Sequence, residues 1–304
     1  MLQKANRVIE QNYTNVVKQY RPKYHLAWEY GWINDPNGFI YYKGQYHLFY
    51  QHNPYESIWG PPYWGHAVSS DLIRWKYLPI ALAPDKPYDK DGCFSGSAIE
   101  KDDNLYLLYT GHVICDAKRQ KNYRHTRGLV FSNDGVNFVK YTKNPVIGTA
   151  DIPAGVSKSD IRDPKVFKRE ENYYMLLGSN NGYDRGQGVV YTSSDLKKWK
   201  FLNIIGSHKD YMGNNWECPD LFKLNGRDVL IVSPQGLNPK GYFYHNLYQA
   251  GYFVGQMDYE KAAFKHAEFV ELDRCFDFYA PQTTLDEKGL RILSFPILLN
   301  SMNF

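Results

Sequence analysis

The sequence predicts an all-β protein: a five-bladed β-propeller with a short N-terminal helix. Two observations lead to this fold class. Short β-rich runs separated by Gly, Pro, Asn and Asp fill the chain from Pro22 almost to its end, and they recur as five similar units with a period of roughly 55 to 65 residues. Each unit has enough β-rich runs for about four strands, which is typical of a propeller blade. An ordinary β-sandwich with coincidental hairpins is the alternative, but two separate motifs repeat in the same phase.

The first predicted element is a helical segment at residues 1–20. Its apolar residues follow spacings of one, three and four, the period of an amphipathic helix: Val8, Ile9, Tyr13, Val16, Val17 and Tyr20. We expect this helix to pack on the body of the protein. The helical period disappears afterwards, and residues 21–304 are assigned to a single propeller domain.

Each repeat unit opens with a hairpin. In the first unit, Phe39–Tyr42 and Gln45–Tyr50 flank a short polar turn at 43–44, and two β-rich runs about such a break indicate antiparallel strands. The corresponding turns of the later units are expected at 101–104, 168–172, 225–226 and 287–289. The pattern of the fifth unit is lost near Leu293, so we expect the fifth blade to be incomplete and to lack its outer strands.

A second motif recurs in the later part of three units. It consists of a Ser, an Asp two residues further on and an aromatic residue four residues after the Asp, at Ser69-Asp71-Trp75, Ser132-Asp134-Phe138 and Ser193-Asp195-Trp199. Because this motif keeps the same phase as the hairpins, it supports a repeated architecture rather than a chance resemblance between strands.

Composition excludes several classes of protein. The 304 residues are 43% hydrophobic and 16% aromatic, which is enough to fill a globular core. The net charge of +4 comes without a long basic block, and we interpret the densest basic run, 118–127, as a solvated loop, so no nucleic-acid partner is expected. The amino terminus lacks the apolar stretch of a signal peptide, and no run approaches the ~18 apolar residues of a membrane span. Four scattered cysteines without a CxxC pair indicate reduced thiols and a cytoplasmic protein.

Acidic residues stand at the start of three of the hairpins. The first strand of each propeller blade runs along the central channel, so equivalent positions of different units converge at one mouth, and Asp35, Asp163 and Glu217 are assigned to such equivalent positions. Carboxylates held close together repel each other and raise each other's proton affinity, which costs stability. Strand capping and a bound cation are the alternatives, but three acids in phase favour catalysis.

The chemistry that these acids indicate is glycosyl transfer. Carboxylates without a Ser-His-Asp arrangement, a P-loop or a His-rich metal motif are typical of it, because one acid protonates the leaving oxygen while another supports an oxocarbenium-like centre. The surrounding aromatic residues offer flat faces for sugar rings, and polar residues beside them offer directional hydrogen bonds. The aromatic candidates are Trp28, Trp32, Trp59, Trp64 and Trp216, and the polar ones are Asn34, Gln51, Ser95 and Arg162.

Six motifs in series resemble one known family. They begin at Trp32, Phe49, Trp64, Phe94, Arg162 and Trp216, and they read WINDPNG, FYQHNP, WGHA, FSGS, RDP and WECPD. Together they resemble glycoside hydrolase family thirty-two, the invertases and β-fructofuranosidases, over about residues 21–292. The helix followed by Tyr20-Arg21-Pro22 is most similar to the start of bacterial sucrose-6-phosphate hydrolases.

This resemblance implies a role for each candidate residue. Asp35 would be the nucleophile that forms a fructosyl-enzyme ester, Glu217 the general acid and later the base, and Asp163 the stabiliser of the transition state. The residues implied in substrate binding are Trp32, Ile33, Asn34, Gln51, Trp59, Phe94, Ser95 and Arg162. The implied reaction retains anomeric configuration, cleaves the fructosidic bond of sucrose or sucrose 6-phosphate, and needs neither a cofactor nor a metal.

The chain departs from the family pattern at its end. Members of the family continue after the fifth blade into a C-terminal β-sandwich, whereas this sequence stops at Phe304, so we expect the sandwich to be absent. Two other interpretations therefore stay open. One is an inverting five-bladed glycosidase acting on arabinose or xylose polymers, and the other is a truncated, non-catalytic sugar-binding propeller.

Overall fold

The structure is a computed structural model, and it describes residues 1–17, 19, 21–116, 122–206, 211–274 and 278–296. Parts of three sequence predictions lie outside the described residues: Tyr20 of the helical segment, residues 118–121 of the basic run, and Cys275. The three described cysteines, Cys93, Cys115 and Cys218, are free thiols.

A single α-helix begins the chain. Helix α1 spans Leu2–Asn12 and is followed by a short 3-10 turn at Tyr13–Asn15. It packs on the propeller through Ala5, which is fully buried, and through Asn6, whose Oδ1 accepts a hydrogen bond from the backbone N–H of Ile80 at 2.9 Å. Within the described residues, no helix combines the length and apolar character that crossing a lipid bilayer would require.

Four antiparallel sheets of four or five strands follow, and chain order within each sheet matches spatial order for its first four strands. The first sheet comprises β1 (Trp32–Tyr42), β2 (Gln45–Asn53), β3 (Tyr63–Ser69) and β4 (Lys76–Leu82). The second comprises β5 (Gly92–Lys101), β6 (Asn104–Ile114), β7 (Tyr123–Ser132) and β8 (Val139–Lys140). The third comprises β9 (Ile161–Arg169), β10 (Asn172–Asn180), β11 (Gly186–Ser193) and β12 (Lys200–Ile205).

The fourth sheet comprises β13 (Asn215–Leu224), β14 (Arg227–Gln235), β15 (Gly251–Asp258), β16 (Ala263–His266) and β17 (Val270–Glu271), the last pairing with β15. A fifth, two-stranded sheet is formed by β18 (Gln282–Leu285) and β19 (Arg291–Ser294). The first strands contact each other in succession: β1 contacts β5, β5 contacts β9, β9 contacts β13, and β18 contacts both β13 and β1. The sheets are therefore arranged around a common centre, as in a β-propeller.

The hydrophobic core lies between neighbouring sheets. One cluster, including Phe49, Trp64 and Tyr109, joins the first sheet to the second, and a cluster including Leu108 and Met175 joins the second to the third. A further cluster joins the third to the fourth through Leu176, Trp216, Leu230 and Phe253. Since each sheet buries its faces against its neighbours, burial of apolar side chains fixes the sheets relative to one another.

Side-chain hydrogen bonds tie the two-stranded sheet into the ring. Gln282 donates to the carbonyl oxygen of Gly96 at 2.8 Å and accepts from the backbone N–H of Phe39. Thr283 donates through its N–H to Asp220 Oδ2 at 2.7 Å, and its carbonyl oxygen accepts from Lys165 Nζ at 3.0 Å. The two-stranded sheet is thus linked to strands from all four larger sheets.

Each predicted hairpin is present, with its turn where the sequence places it. The all-β class with one short N-terminal helix is confirmed as well. The described residues give four larger sheets and one two-stranded sheet, so the count of five blades stays a prediction. The helix ends at Asn12, inside the predicted segment 1–20, and Val17 beyond it is 72% exposed.

The Ser-x-Asp motifs form the turns between the third and fourth strands of three sheets. In the third sheet, Asp195 Oδ1 accepts hydrogen bonds from the backbone N–H groups of Lys197 and Lys198 at 2.8 and 2.9 Å. Ser193 Oγ accepts from the N–H groups of Asp195 and Leu196, which ties the turn together from its other side. These short side chains replace strand pairing with local hydrogen bonds, as Asp and Ser commonly do in turns.

Candidate active site

The first strand of each larger sheet departs from regular pairing near its start. The register shifts lie between Ile33 and Pro36 in β1, between Phe94 and Gly96 in β5, opposite the step from Leu176 to Gly178 in β9, and between Glu217 and Asp220 in β13. A proline lies in three of these shifts or at their edge, and its missing N–H removes one ladder hydrogen bond. The irregular backbone at these shifts interrupts the strict alternation of side chains between the two faces of a sheet.

Asp35 lies at the centre of the site. Its Oδ2 accepts hydrogen bonds from Ser95 Oγ at 2.8 Å, from Gln51 Nε2 at 3.5 Å and from Cys218 Sγ at 3.8 Å, while Oδ1 is buried without a partner among the described atoms. Burial, and then the nearby charges of Asp163 and Glu217, raise the pKa of Asp35 to about 7 although the Ser95 and Cys218 hydrogen bonds oppose the change. Burial and the two neighbouring acids thus move the ionisation of Asp35 towards neutral pH.

Asp163 faces the same centre from β9. Its Oδ2 accepts from the backbone N–H of Cys218 at 3.0 Å and from Cys218 Sγ at 3.6 Å, and its own N–H donates to Thr110 Oγ1 at 2.9 Å. Burial and the charge of Glu217 raise the pKa of Asp163 to about 6, against the lowering effect of Arg162. One thiol thus lies between two carboxylates whose proton affinities are both increased.

Glu217 is held at both carboxylate oxygens. Arg162 Nε donates to Oε1 at 2.7 Å, and the hydroxyl of Tyr279 donates to Oε2. Burial, followed by the charge of Glu217, raises the pKa of Tyr279 well above its usual value, so this hydroxyl keeps its proton. Donors on both oxygens fix the position of the Glu217 carboxyl group.

One predicted equivalence between repeats is wrong by one residue. Asp163 and Cys218 each precede a proline, each has a positive φ, of 58° and 45°, and each follows the last paired residue before the register shift. Cys218 is therefore the counterpart of Asp163, and Glu217 is the counterpart of Arg162. The physical reason is that the bulge sets which side chains face the centre, and the chain supplies the third acid from the preceding position.

Six predicted residues lie together in the structure. Asp35 accepts from Ser95 and Gln51, and Arg162 donates to Glu217. Cys218 contacts both Asp35 and Asp163. Phe94 is half-buried beside them and stacks on His112 with ring centroids 4.3 Å apart. Ser95 is fully buried and also accepts a hydrogen bond from Gln51, so it links two of the candidate binding residues to Asp35.

The other predicted binding residues are placed less directly. Trp32, Ile33 and Asn34 lie half-buried on β1 just before Asp35, and Asn34 Oδ1 is buried without a partner among the described atoms. Trp59 lies in the connection between β2 and β3 and is 58% exposed. None of the hydrogen bonds among the described residues joins Trp59 to the acids.

Sequence reasoning missed three contributors to the site: Cys218, Tyr279 and Thr110. The first two could have been found from the repeat itself, because Cys218-Pro219 and Ala280-Pro281 stand at the same place as Asp163-Pro164, which puts Tyr279 level with Arg162 and Glu217. Thr110 carries no such signal, since it comes from the second strand of its sheet. In the described part of the chain, no group of three or more His, Cys, Asp or Glu residues is arranged to hold a metal ion.

A propeller whose inner strands bring three carboxylates and an arginine to one centre has the architecture of a glycoside hydrolase. Comparison with known proteins specifies the family. Residues 25–298 match the model of the glycosyl hydrolases family 32 N-terminal domain, and the chain belongs to this family.

Individual relatives agree with this assignment. The sucrose-6-phosphate hydrolase of Bacillus subtilis (strain 168) is 47% identical over 278 residues, which is 90% of this chain and 56% of that protein. The raffinose invertase of Escherichia coli is 40% identical over 273 residues, with the same two shares. A solved structure of a Bombyx mori GH32 β-fructofuranosidase has a TM-score of 0.89 at 46% identity, covering 96% of this chain and 61% of that one. The chain thus spans a little over half the length of these relatives.

Proposed function

We propose that this chain carries the catalytic centre of a retaining β-fructofuranosidase that cleaves sucrose or sucrose 6-phosphate. The observation that supports it most is the hydrogen-bonded contact of Cys218 with both Asp35 and Asp163, directly beside Glu217. Three carboxylates from different sheets are thereby brought to one centre. A retaining mechanism needs its nucleophile and its acid close together, about 5 Å apart.

In the first step, Asp35 attacks the anomeric carbon of the fructosyl unit while Glu217 gives a proton to the departing glycosidic oxygen. The bond from carbon to the leaving oxygen breaks as an ester bond to Asp35 forms, and the released alcohol takes the proton. Asp35 must be ionised for this attack, and Ser95 and Gln51 favour the ionised form by donating to Oδ2. Asp163 would accept hydrogen bonds from fructose hydroxyls and stabilise the positive charge that develops on the ring.

In the second step, water attacks the same carbon and Glu217 takes its proton as a base. The ester bond to Asp35 breaks, fructose leaves with its configuration retained, and Glu217 is protonated again for the next cycle. Two donors, Arg162 and Tyr279, hold the Glu217 carboxylate in place for this base step. For the acid step, the Tyr279 hydroxyl would turn to accept from the protonated carboxyl.

The names of similar proteins support a substrate of the sucrose type. The Bacillus subtilis relative is a sucrose-6-phosphate hydrolase, and a mutant of the Bombyx mori enzyme was solved in complex with sucrose, at 45% identity to this chain. Because this chain spans only part of those proteins, the substrate is a proposal. A cytoplasmic location likewise stays a prediction of the sequence.

We also propose that β18 and β19 are the inner strands of a fifth blade. Their position between β13 and β1 supports this, as does Ala280-Pro281, which precedes β18 in the way that Asp163-Pro164 and Cys218-Pro219 occur in β9 and β13. Tyr279 then takes the same place in this unit as Glu217 does in the fourth, which accounts for their contact.

The direct test is fructose release from sucrose and from sucrose 6-phosphate by the purified chain, by Asp35→Ala and Glu217→Ala, and by Asp195→Asn as a matched control. We expect turnover in the wild type and the control, and loss in the two site variants. Proton NMR of the first-formed product should show the β-anomer. An inverted product would favour the inverting arabinose or xylose glycosidase, and calorimetric fructoside binding without turnover would favour a non-catalytic propeller.

A further inference from the structure

A chain of polar contacts extends from Glu217 away from the acid cluster. Arg162 Nε contacts Glu217, and Arg162 Nη1 donates to Asp160 Oδ1 at 3.2 Å. The same Oδ1 accepts from the hydroxyl of Tyr123, which belongs to β7 in the neighbouring sheet. One guanidinium group is therefore shared between two carboxylates, of which Asp160 was not among the predicted site residues.

Asp160 is held firmly in this position. Its N–H donates to Ser157 Oγ at 2.9 Å, and its carbonyl oxygen accepts from Ser179 Oγ at 2.6 Å. Burial acts to raise the pKa of Asp160, but the Tyr123 hydrogen bond and the Arg162 charge outweigh it and leave that pKa below its ordinary value. Asp160 is thus ionised at neutral pH, and its side chain is 25% exposed beside an Arg162 side chain that is only 11% exposed.

The sharing of Arg162 between Asp160 and Glu217 affects proton affinity because these side chains are mostly buried and little solvent screens their charges. A cation that pairs with one carboxylate favours the ionised form of that carboxylate, and a second carboxylate on the same cation weakens the effect. Sharing of Arg162 therefore makes Glu217 hold its proton more tightly than an unshared Arg162 would allow.

We propose that Asp160 is a positioning residue that sets how readily Glu217 gives up its proton, by sharing Arg162 with it. The inference rests on the proposed acid and base role of Glu217. Asp160 acts through Arg162 and does not touch the reacting atoms. The Asp160–Arg162 contact thereby has a share in the pH dependence of the reaction.

Other charged and titratable groups also face Arg162 and Glu217, and they limit how far Asp160 can change the proton affinity of Glu217. They are Asp35 of β1, His112 of β6, Tyr123 and His125 of β7, Asp163 of β9, Cys218 of β13, and Tyr279 in the segment before β18. Burial lowers the pKa of His112 to about 4 and that of His125 well below its usual value, so both rings are neutral near pH 7. The largest influences on the pKa of Asp35 are burial and its nearer neighbours Asp163, Ser95, Glu217 and Cys218, so removal of Asp160 should affect Glu217 more than Asp35.

The test compares Asp160→Asn with the wild type in the pH dependence of kcat/KM on sucrose. Without the Asp160 charge, Arg162 pairs with Glu217 only, and Glu217 should lose its proton more easily. The alkaline limb of the kcat/KM profile should therefore move to lower pH by about half a unit or more, while the acid limb moves less. At alkaline pH, kcat/KM on sucrose should therefore fall about threefold or more. An aryl β-fructofuranoside with a good leaving group needs little proton donation, and its kcat should change less than about twofold.

Two further variants separate this role from a merely structural one. Tyr123→Phe removes a hydrogen bond to Asp160 but leaves its charge, so the alkaline limb should stay within about 0.2 pH unit of the wild type. Asp160→Glu keeps the charge and should restore most of the wild-type profile. Equal losses on both substrates with an unmoved alkaline limb would overturn the proposal.

A direct titration keeps the proposal testable whether or not the chain turns over sucrose. With [δ-¹³C]glutamate labelling and assignment by Glu217→Gln, the NMR titration midpoint of the Glu217 carboxyl should fall in Asp160→Asn relative to the wild type. An unchanged midpoint contradicts the role of Asp160. Absence of fructose release by the wild type, with a midpoint that does fall, would count against the proposed reaction and not against this charge coupling.

Discussion

Two sets of aspartates recur in this protein, and their surroundings differ sharply. Asp195, in the turn between β11 and β12, accepts from two backbone N–H groups and lies half-buried. Burial raises its pKa, but these hydrogen bonds and that from Ser193 outweigh it, so the pKa of Asp195 lies below its ordinary value. Asp35 is buried with one oxygen unpartnered and two acids nearby, and its pKa is raised to about 7.

The difference shows that recurrence of an acid does not reveal its role. Both kinds of aspartate repeat in phase with the sheets, yet one kind stabilises a turn and the other is placed at a cost to stability. What separates them is the number of backbone donors within reach and the number of like charges nearby. Four predictions test this contrast, beginning with the largest expected effect.

The first prediction concerns activity. Asp35→Asn removes the proposed nucleophile, so fructose release should fall by about 10⁴-fold or more, as is typical when a nucleophile is lost. Asp195→Asn changes the same functional group in a turn far from the channel and should keep activity within about threefold of the wild type. Initial rates on sucrose check both. Near-wild-type activity in Asp35→Asn would show that Asp35, like Asp195, is not needed for the reaction.

The second prediction concerns pH. Because only ionised Asp35 can attack, protonation inactivates the site, and the raised pKa values of about 7 for Asp35 and about 6 for Asp163 place this event near neutrality. We therefore expect kcat/KM to fall about tenfold per pH unit below roughly pH 6. A kcat/KM profile that stays flat down to pH 4.5 would mean that the pKa of Asp35 is not raised.

The third prediction concerns stability, where the two aspartates should act with opposite sign. Asp195→Ala loses the hydrogen bonds that cap its turn and should lower the free energy of unfolding by about 1 kcal/mol. Asp35→Asn removes a buried charge and should raise that free energy at pH 8 by about 1 kcal/mol. Denaturant unfolding of both variants beside the wild type measures these changes.

The pH dependence of that stability difference follows from linkage. Asp35 binds its proton more tightly in the folded state, at about 7 against an ordinary 3.8, so its contribution to stability is greatest below pH 3.8 and is lost as pH rises through 7. The advantage of Asp35→Asn should therefore shrink between pH 8 and pH 4. The Asp195 contribution runs the other way and is lost only in strong acid. An equal pH dependence of the unfolding free energy in Asp35→Asn and Asp195→Ala would contradict the opposite shifts of the two pKa values.

The smallest expected effect is that of the thiol between the two site acids. Cys218 Sγ lies 3.8 Å from Asp35 Oδ2 and 3.6 Å from Asp163 Oδ2, and its contacts lower both pKa values. Cys218→Ala should therefore move the acid limb of the kcat/KM profile to higher pH by about 0.3 unit. Cys93→Ala removes a thiol buried in the core between the first two sheets and should leave the limb in place. A shift to lower pH in Cys218→Ala would show that the thiol does not donate to these acids.

Much of the fold and part of the site could be predicted from residues alone. The five hairpin turns, the N-terminal helix and the clustering of Asp35, Asp163 and Glu217 follow from repeated local patterns. The repeated X-Pro pairs place Cys218, and not Glu217, at the position of Asp163, but that Glu217 still reaches the centre depends on where β13 bulges against β14 and could not be predicted. Thr110 and Asp160 were missed because their function comes from contacts with strands or residues outside their own motif.

The sequence by itself determined the period of the chain, the turn positions, and the residue types that the repeat brings to the inner strands. Those features are local, since turn and strand preferences act over a few residues. Only the tertiary structure decided which oxygen of each acid has a donor, that Arg162 is shared between Asp160 and Glu217, and that Tyr279 reaches Glu217. Charge and burial act through space, so residues more than fifty positions apart set each other's protonation only once the sheets have packed around one centre.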